Sequence, residues 1–374
     1  MSKKPEFKFG IEWEFPLVRI RDSQYVDFDN TKFRDLQGII DDLPEFKEDY
    51  PGLRVGDLGI KKKRWYIEEY ERFDEEGAYT FCDVKGVEIR TPICSSIDEA
   101  IKTLSEDRRL FSEVAKKHGY RPVAVGFNPY KTKYTPTPPL NSWELNFRGQ
   151  SPEAVTADIN MLTQGPDISI SLKGLSDQDV IEIGKKLVFY APFIAVFSFN
   201  SPFYEGKLWK GYSARSFVRN PYRPSVLVFV RDKANLINQK PSLTEECRIE
   251  CEAGRIEFKA IDSVANLEIL GSLAALLKGL ALDTRLKGRS AKPDIELHKK
   301  AAIEGFDNEE VILGSEQVLK AAREALASDP DISKLEVLEK MLKTRRLPAH
   351  ELIESYASTE DIIKTLEEVY DRYV

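Results

Sequence analysis

The sequence predicts an α+β fold, with strands dominating residues 1–265 and helices residues 266–374. Three observations lead there. Segments such as FKFGIEWEF, GVEIRTP and GRIEFKAID alternate apolar and charged residues with the period of two that a half-buried strand requires. Turn-forming clusters such as DEEG join strand segments over a few residues, as hairpin neighbours need. From Asn266 onward the apolar residues recur at helical spacing instead.

Composition bounds the classes of function. The chain has 374 residues, 42% hydrophobic and 31% charged, enough for a sizeable core. A net charge of -7 argues against non-specific nucleic-acid binding, because a phosphate backbone is repelled on average. The opening MSKKPEFKFGIEWEF lacks the uninterrupted apolar run of a signal peptide, and the most apolar span, Leu267–Leu282, carries Glu268 and Lys278. A cytoplasmic protein that meets neither nucleic acid nor membrane is expected. Four cysteines are too few for a disulfide scaffold, and Cys247 and Cys251 in CRIEC are expected as reduced core thiols. The three histidines, His118, His298 and His350, are widely scattered, so histidine-dependent triads and metal sites lack material. Carboxylate, lysine and arginine chemistry is what remains.

In the first strand Phe7, Phe9, Ile11, Trp13 and Phe15 share one face, while Glu12 and Glu14 project from the other. The two glutamates stand roughly 7 Å apart by strand rise, near enough to grip one cation or two neighbouring ones. The same pattern also suits a half-exposed strand whose glutamates meet water. Residues 21–60 are polar and turn-rich, with short apolar patches such as LQGII. From Lys61, KKKRWYIEEYERFDEEGAYTFCDVKGVEIRTP reads as strands joined by turns at DEEG and VKG. Its end sets Val87 and Ile89 on one face and Glu88 and Arg90 on the other, and Pro92 stops it. Such acid and base alternation is also common on solvated sheet faces.

SSIDEAIKTLSEDRRLFSEVAKKHGY has helical spacing, a serine and an aspartate at its start to cap free amides, and Gly119 at its end. RPVAVGFNPY returns as a short strand, and KTKYTPTPPLNSW is a proline-rich loop. In GPDISISLKGL, Ile168 and Ile170 alternate with Asp167, Ser169 and Ser171. The helix opened by Ser176 and Asp177 meets Pro192, where a kink or break is expected. FSFNSPFYEGKLWKGYSARSFVRNPYRP is a loop that collects Lys207, Lys210, Arg215, Arg219 and Arg223, a charge suited to an anionic ligand and equally to solubility. CRIECEAGRIEFKAID reads as a hairpin turning at Ala253 and Gly254, with Arg248, Glu250, Glu252, Arg255, Glu257 and Lys259 on its polar face. That face is either a solvated surface or one wall of a nucleotide and metal site, with Glu257 the acid and Lys259 or Arg255 the phosphate contact. LEILGSLAALLKGLAL is apolar nearly all round and therefore buried, with Gly271 and Gly279 allowing close helix approach. The segments EQVLKAAREALA, SKLEVLEKMLK, AHELIESYA and TEDIIKTLEEVY are amphipathic packing helices.

In order and spacing, GIEWEF, GVEIRTP with HGYRPVAVGFNPY, FSFNSPFYEG with GYSARS, GRIEFKAID and TRRLPAHELIESY resemble the second family of glutamate-cysteine ligases, the carboxylate-amine ligases. The resemblance runs from about Phe7 to the end of the chain. It implies a fold of the glutamine synthetase catalytic type: a curved, mainly antiparallel sheet, backed by helices, whose concave face binds ATP and divalent metals in a single catalytic domain over 1–374. It implies Glu12, Glu14, Glu88 and Glu257 as metal ligands, and Arg215 and Lys259 as contacts to phosphate or the substrate carboxylate. Arg90, Arg255, Asn200 and Ser201 fall at the nucleotide site.

ATP and Mg²⁺ are then the cofactors. The implied reaction phosphorylates a carboxylate, the γ-carboxylate of glutamate, for attack by an amine such as that of cysteine. The partners are these small molecules, and a homo-oligomer is compatible with the pattern. The chain departs from the family in three places. GPDISISLK stands where many members carry a histidine, so that Asp167 or Ser169 faces the site. Lys259 stands where arginine is frequent, which keeps the charge and loses the bidentate fork. NPYRPSV lacks the usual glycine. Two alternatives keep the fold: a phosphotransferase of the guanidino-kinase kind, and a non-catalytic nucleotide-binding relative. The ligase expectation requires the first strand to lie centrally in the sheet with Glu12 and Glu14 on its concave face.

Overall fold

The computed structural model describes residues 6–52, 64–150 and 152–374; the expected strand start at Lys61 to Lys63 lies outside them. A curled sheet of seven strands organises the chain. We number them β1 (Phe7–Phe15), β2 (Trp65–Phe73), β3 (Tyr79–Arg90), β4 (Pro166–Leu172), β5 (Val226–Val230), β6 (Thr244–Glu246) and β7 (Arg255–Phe258). Their order in space is β6-β5-β7-β4-β1-β3-β2. All neighbours run antiparallel except β5 and β6. The first strand therefore lies inside the sheet, between β4 and β3, as expected.

Its alternation explains that place. Phe7, Phe9, Ile11, Trp13 and Phe15 are all at most 7% exposed and join one core with the helices behind the sheet. The ring of Phe15 meets that of Phe111, on the Ile97–Lys117 helix, edge to face at 5.1 Å. That helix is capped by Ser96, whose side chain accepts from the Glu99 amide, and it ends where Gly119 takes a φ of +81°. The Leu267–Leu282 helix is buried almost all round, because the Ile97–Lys117 and Glu309–Ala325 helices pack on it. Gly271 faces Ile101 and Gly279 faces Ala322, so both glycines mark the close helix approaches expected of them.

Several expectations are corrected. VKG is no turn: Val84, Lys85 and Gly86 lie within β3, where the pairing with β2 slips between Glu68 and Glu69. Glu68 pairs with Gly86 and Glu69 with Val84, so Lys85 is the extra residue of a β-bulge. A Cβ on Gly86 would sit 2.7 Å from the Phe15 carbonyl oxygen, so the bulge needs glycine beside it. CRIECEAGRIEF is not a hairpin. Glu250–Glu252 forms one tight helical turn, and β7 pairs instead with β4 and β5, which offer Ile170 and Val228 on either side of Ile256. Gly254 still supplies a left-handed turn, at φ +78°. Cys247 is half-buried and Cys251 exposed, because that segment leaves the sheet; Cys82 and Cys94 are the buried thiols.

The polar stretch after β1 contains a helix, Phe33–Asp42, in which Leu36, Ile39 and Ile40 of LQGII are buried. The Asp177–Ala195 helix is not broken at Pro192 but runs three residues further, its last turn held by the burial of Phe193, Ile194 and Ala195. The basic loop contains a short helix, Ala214–Val218, and Arg215 and Arg219 are buried beneath it. RPVAVGFNPY contributes only Arg121 and Pro122 to a strand, Tyr120–Pro122, which pairs with Leu17–Arg19 in a separate ribbon. Among the described residues no helix is long and apolar enough to cross a membrane.

One packing contact is open to a direct test. A Cβ at Gly279 would lie 2.6 Å from the Ala322 Cβ and 2.9 Å from its carbonyl oxygen, with no flexible side chain to yield. Gly279→Ala is expected to lower stability by about 1–3 kcal/mol, despite alanine's higher helix propensity, as read by chemical denaturation.

Candidate active site

The face of the sheet opposite the helices carries two groups of three carboxylates. Because β1 pairs Glu12 with Asp167 of β4, and β7 brings Glu257 against β4 from the other side, these three acids converge. Their oxygens lie within 4.8 Å of one another. Two residues along β1, Glu14 lies opposite Glu88 of β3, and Glu68 of β2 completes a second triad of the same dimensions. The two-residue repeat of a strand thus places one member of each triad side by side.

Cations are woven through both groups. The Lys259 ammonium pairs with Asp167 and lies 3.4 Å from Glu257. Arg255 reaches Glu12 at 3.8 Å, Glu257 at 4.0 Å and Glu252 at 3.7 Å. In the second triad Lys85 lies 2.7 Å from Glu14 and 3.4 Å from Glu68. The Gly165 amide donates to the other Glu14 oxygen at 3.0 Å, and the Tyr66 hydroxyl donates to Glu88.

These contacts divide the acids. Burial, with Glu257 nearby, pushes Glu12 up to about 7. Burial raises Glu88 well above the carboxylate range, and Glu68, Glu12 and Glu14 add to it. Glu68 and Asp167 are also raised, chiefly by burial. Against the effect of burial, Lys85 holds Glu14 below its usual value, and Lys259 with Arg255 does the same for Glu257. Raised acids crowded on one face are short of positive charge. Three hard oxygen donors per triad and no thiol or imidazole among them fit a divalent cation of the Mg²⁺ kind.

A cavity of about 300 Å³ opens beside the first triad. Its polar lining includes Glu12, Glu257, Lys259, Arg255, Arg90 and Ser169, and its apolar lining Leu227, Phe229 and Ile93. Arg255 lies over the Phe229 ring at 4.1 Å and Arg90 over the Tyr66 ring at 5.0 Å. Three cations set among apolar and aromatic side chains suit a ligand with both an anionic part and a flat apolar part.

The structure thus brings Glu12, Glu14, Glu88 and Glu257 onto one face and sets Arg90, Arg255 and Lys259 in the cavity wall. Asp167 and Ser169 both face the site, the first in a triad and the second in the wall. Three expected residues lie behind it. Arg215 is 2% exposed and does not line the cavity; its Nη2 donates to the Lys259 carbonyl at 3.0 Å, while Nε and Nη1 have no hydrogen-bond partner. Its guanidinium crosses Gly165, where a Cβ would lie 2.5 Å away, so the same glycine that binds Glu14 makes room for it. Asn200 and Ser201 are also buried, the Asn200 backbone N–H and the Ser201 hydroxyl donating to the Asp262 carboxylate at 2.9 and 2.5 Å. Sequence reasoning missed Glu68, Lys85, Tyr66 and Asp262. For Glu68 and Tyr66 a signal existed, since both alternate with the apolar Trp65 and Ile67.

The family model described as Glutamate-cysteine ligase family 2 (GCS2) matches residues 8–224, more than half of the chain. The chain belongs to that family. A protein of Roseiflexus sp. (strain RS-1) with the provisional name glutamate–cysteine ligase 2 is 23% identical over 223 residues, 54% of this chain and 55% of that protein. The chain thus matches about half the length of such relatives. Among solved structures, the glutamate–cysteine ligase of Francisella tularensis in complex with AMP is similar with a TM-score of 0.57 and 10% identity, over 99% of this chain and 89% of that one. A bifunctional glutathione synthetase from Pasteurella multocida gives 0.56 and 12%, over 98% of this chain and 52% of that one. The expected ligase fold, with its curved antiparallel sheet and helical C-terminal part, is the one observed.

The Glu12 carboxyl supplies a pH test. In the metal-free fold it keeps its proton up to about 7, whereas the unfolded chain releases it near 4.5. The folded state binds more protons across that window, so this group's contribution to stability falls as pH rises through it. Thermal denaturation of Glu12→Gln without divalent ions is expected to show a flatter pH dependence there than the parent protein. Added Mg²⁺ is expected to offset the parent's loss.

Proposed function

We propose that the chain, acting as one catalytic unit over 1–374, is an ATP- and Mg²⁺-dependent carboxylate-amine ligase. It joins the γ-carboxylate of glutamate to cysteine or another amine through an acyl phosphate. The observation that carries this reading is the pair of carboxylate triads side by side on one sheet face, next to a cavity lined by cations. Membership of the glutamate-cysteine ligase family supports it.

The roles follow from the chemistry. A carboxylate is a poor electrophile, and phosphorylation converts it into one that an amine can attack. Glu12, Asp167 and Glu257 hold one cation and Glu14, Glu68 and Glu88 a second. When bound, Mg²⁺ supplies the positive charge that offsets the phosphate oxygens during transfer. Arg90, Arg255 and Lys259 bind the phosphate chain from the cavity wall, and Leu227 with Phe229 forms a shelf for the base. Arg215, with two donors free behind Glu14 and Asp167, steadies the carboxylates from beneath. Phosphoryl transfer needs positioning and charge rather than a covalent protein nucleophile, which these groups provide.

Incubation with ATP, Mg²⁺, glutamate and a panel of amines is expected to release ADP and phosphate only with a proper acceptor, with the amide identified by mass spectrometry. Absence of turnover with every amine tried would overturn the ligase reading, and a stable phosphorylated product without free phosphate would indicate a phosphotransferase. Glu257→Gln is expected to lower kcat by about a hundredfold or more, because the charge it holds is felt most in the transition state.

A further inference from the structure

Each carboxylate triad is paired with a lysine, and the two lysines are held differently. Lys259 is 19% exposed and lines the cavity, so its ammonium can leave Asp167 and Glu257 for open space when a cation enters. Lys85 is 1% exposed, and its ammonium lies between Glu14 and Glu68, two of the three ligands of the second triad. Its place there is made by the backbone. In an unbroken strand Lys85 would follow Val87 and Ile89 into the core, since all three are odd-numbered on β3. The bulge reverses the alternation: Val84 joins Val87 and Ile89 in the core, and Lys85 turns to the acid face. Gly86 permits this by leaving room for the Phe15 carbonyl. A lysine carried into the sheet's acid face at the cost of a ladder position has a charge to place there.

We propose that Lys85 is a built-in competitor for the second cation, a positioning residue that makes the two metal sites unequal. With Lys85 in place, Glu14 and Glu68 already share one positive charge that has no open space to move into. The Glu12, Asp167 and Glu257 triad fills first, and the Glu14, Glu68 and Glu88 triad takes its ion only against Lys85. The bulge thereby orders cation entry, the ion beside the cavity preceding the enclosed one. This inference rests on the two-cation reading above, and the test separates the two.

Binding of Mn²⁺ alone to the full-length protein, followed by electron paramagnetic resonance of the free ion, gives the number of sites and their affinities. Two classes of unequal affinity are expected, the tighter lost in Glu257→Gln and the weaker in Glu14→Gln. In Lys85→Met, which keeps most of the side chain's length and removes its charge, the weaker class is expected to tighten roughly tenfold or more, while the tighter class stays unchanged. Lys85→Gln, which keeps a donor for Glu14, is expected to tighten it likewise and carries the test if the methionine variant does not fold. A purely structural lysine would change thermal stability in these variants without tightening either class. Two Mn²⁺ sites with the same affinities in parent and variants, or a weaker class that loosens, would overturn the role of Lys85 and leave the two-cation reading standing. No bound Mn²⁺ in any of the proteins would overturn both.

Discussion

The burial of one face of β1 against the Ile97–Lys117 and Leu267–Leu282 helices is the constraint from which the site follows. Five apolar side chains at alternate positions give the strand one way to face, because a slip of one residue would put Trp13 and Phe15 into water and Glu12 and Glu14 into the core. Once that face is fixed, so is the other. Antiparallel pairing then carries the alternation outward to β4 and β3, and through β4 to β7, setting Asp167, Glu88 and Glu257 on the same side as the two glutamates. The acid face is a by-product of core packing, and its precision comes from hydrogen-bond register rather than from loops.

The concentration of negative charge is then the main electrostatic fact. Six carboxylates within two small clusters repel one another in surroundings that screen poorly, and Lys85, Lys259 and Arg255 relieve part of that repulsion. The relief is uneven. Glu14 and Glu257 sit below the usual carboxylate range, whereas Glu12 and Glu88 sit above it, as do Asp167 and Glu68, whose burial outweighs their lysine contacts. Such a division among neighbouring acids is a recurrent mark of functional sites, where charge is arranged for a ligand. Behind the sheet face a second polar layer gathers around Asp262, which accepts from Asn200, Ser201 and Ser213, and around Arg215, which spans the gap between that layer and Glu14. This layer pins the short Ala214–Val218 helix to the sheet and so holds the arginine in position.

How far the site was legible depends on how local its cause is. Glu12, Glu14, Glu88, Asp167 and Glu257 each lie on a strand whose apolar partners alternate within the same few residues, so their common orientation can be read from the strand itself. Glu68 carries the same mark less plainly, because Glu69 follows it and blurs the alternation. Arg215, Asn200 and Ser201 belong to the site's support, and their burial depends on Asp262 and Gly165, far away in the chain. Nothing local distinguishes a buried arginine from one on a basic loop.

By itself, the sequence determined the two faces of β1, the apolar Leu267–Leu282 helix with its two glycine contacts, the amphipathic C-terminal helices and the acids that share the sheet face, because each is a matter of periodicity within a short segment. Only the tertiary structure decided which strands are neighbours, and hence that CRIECEAGRIEF yields one strand between β4 and β5 instead of a hairpin. It also decided that VKG is a bulge and that Lys85 turns toward Glu14. A glycine flanked by strand residues is compatible with a turn or a bulge. The choice between them is made by the partner strands, here β2 in register on one side and the Phe15 carbonyl pressing close on the other.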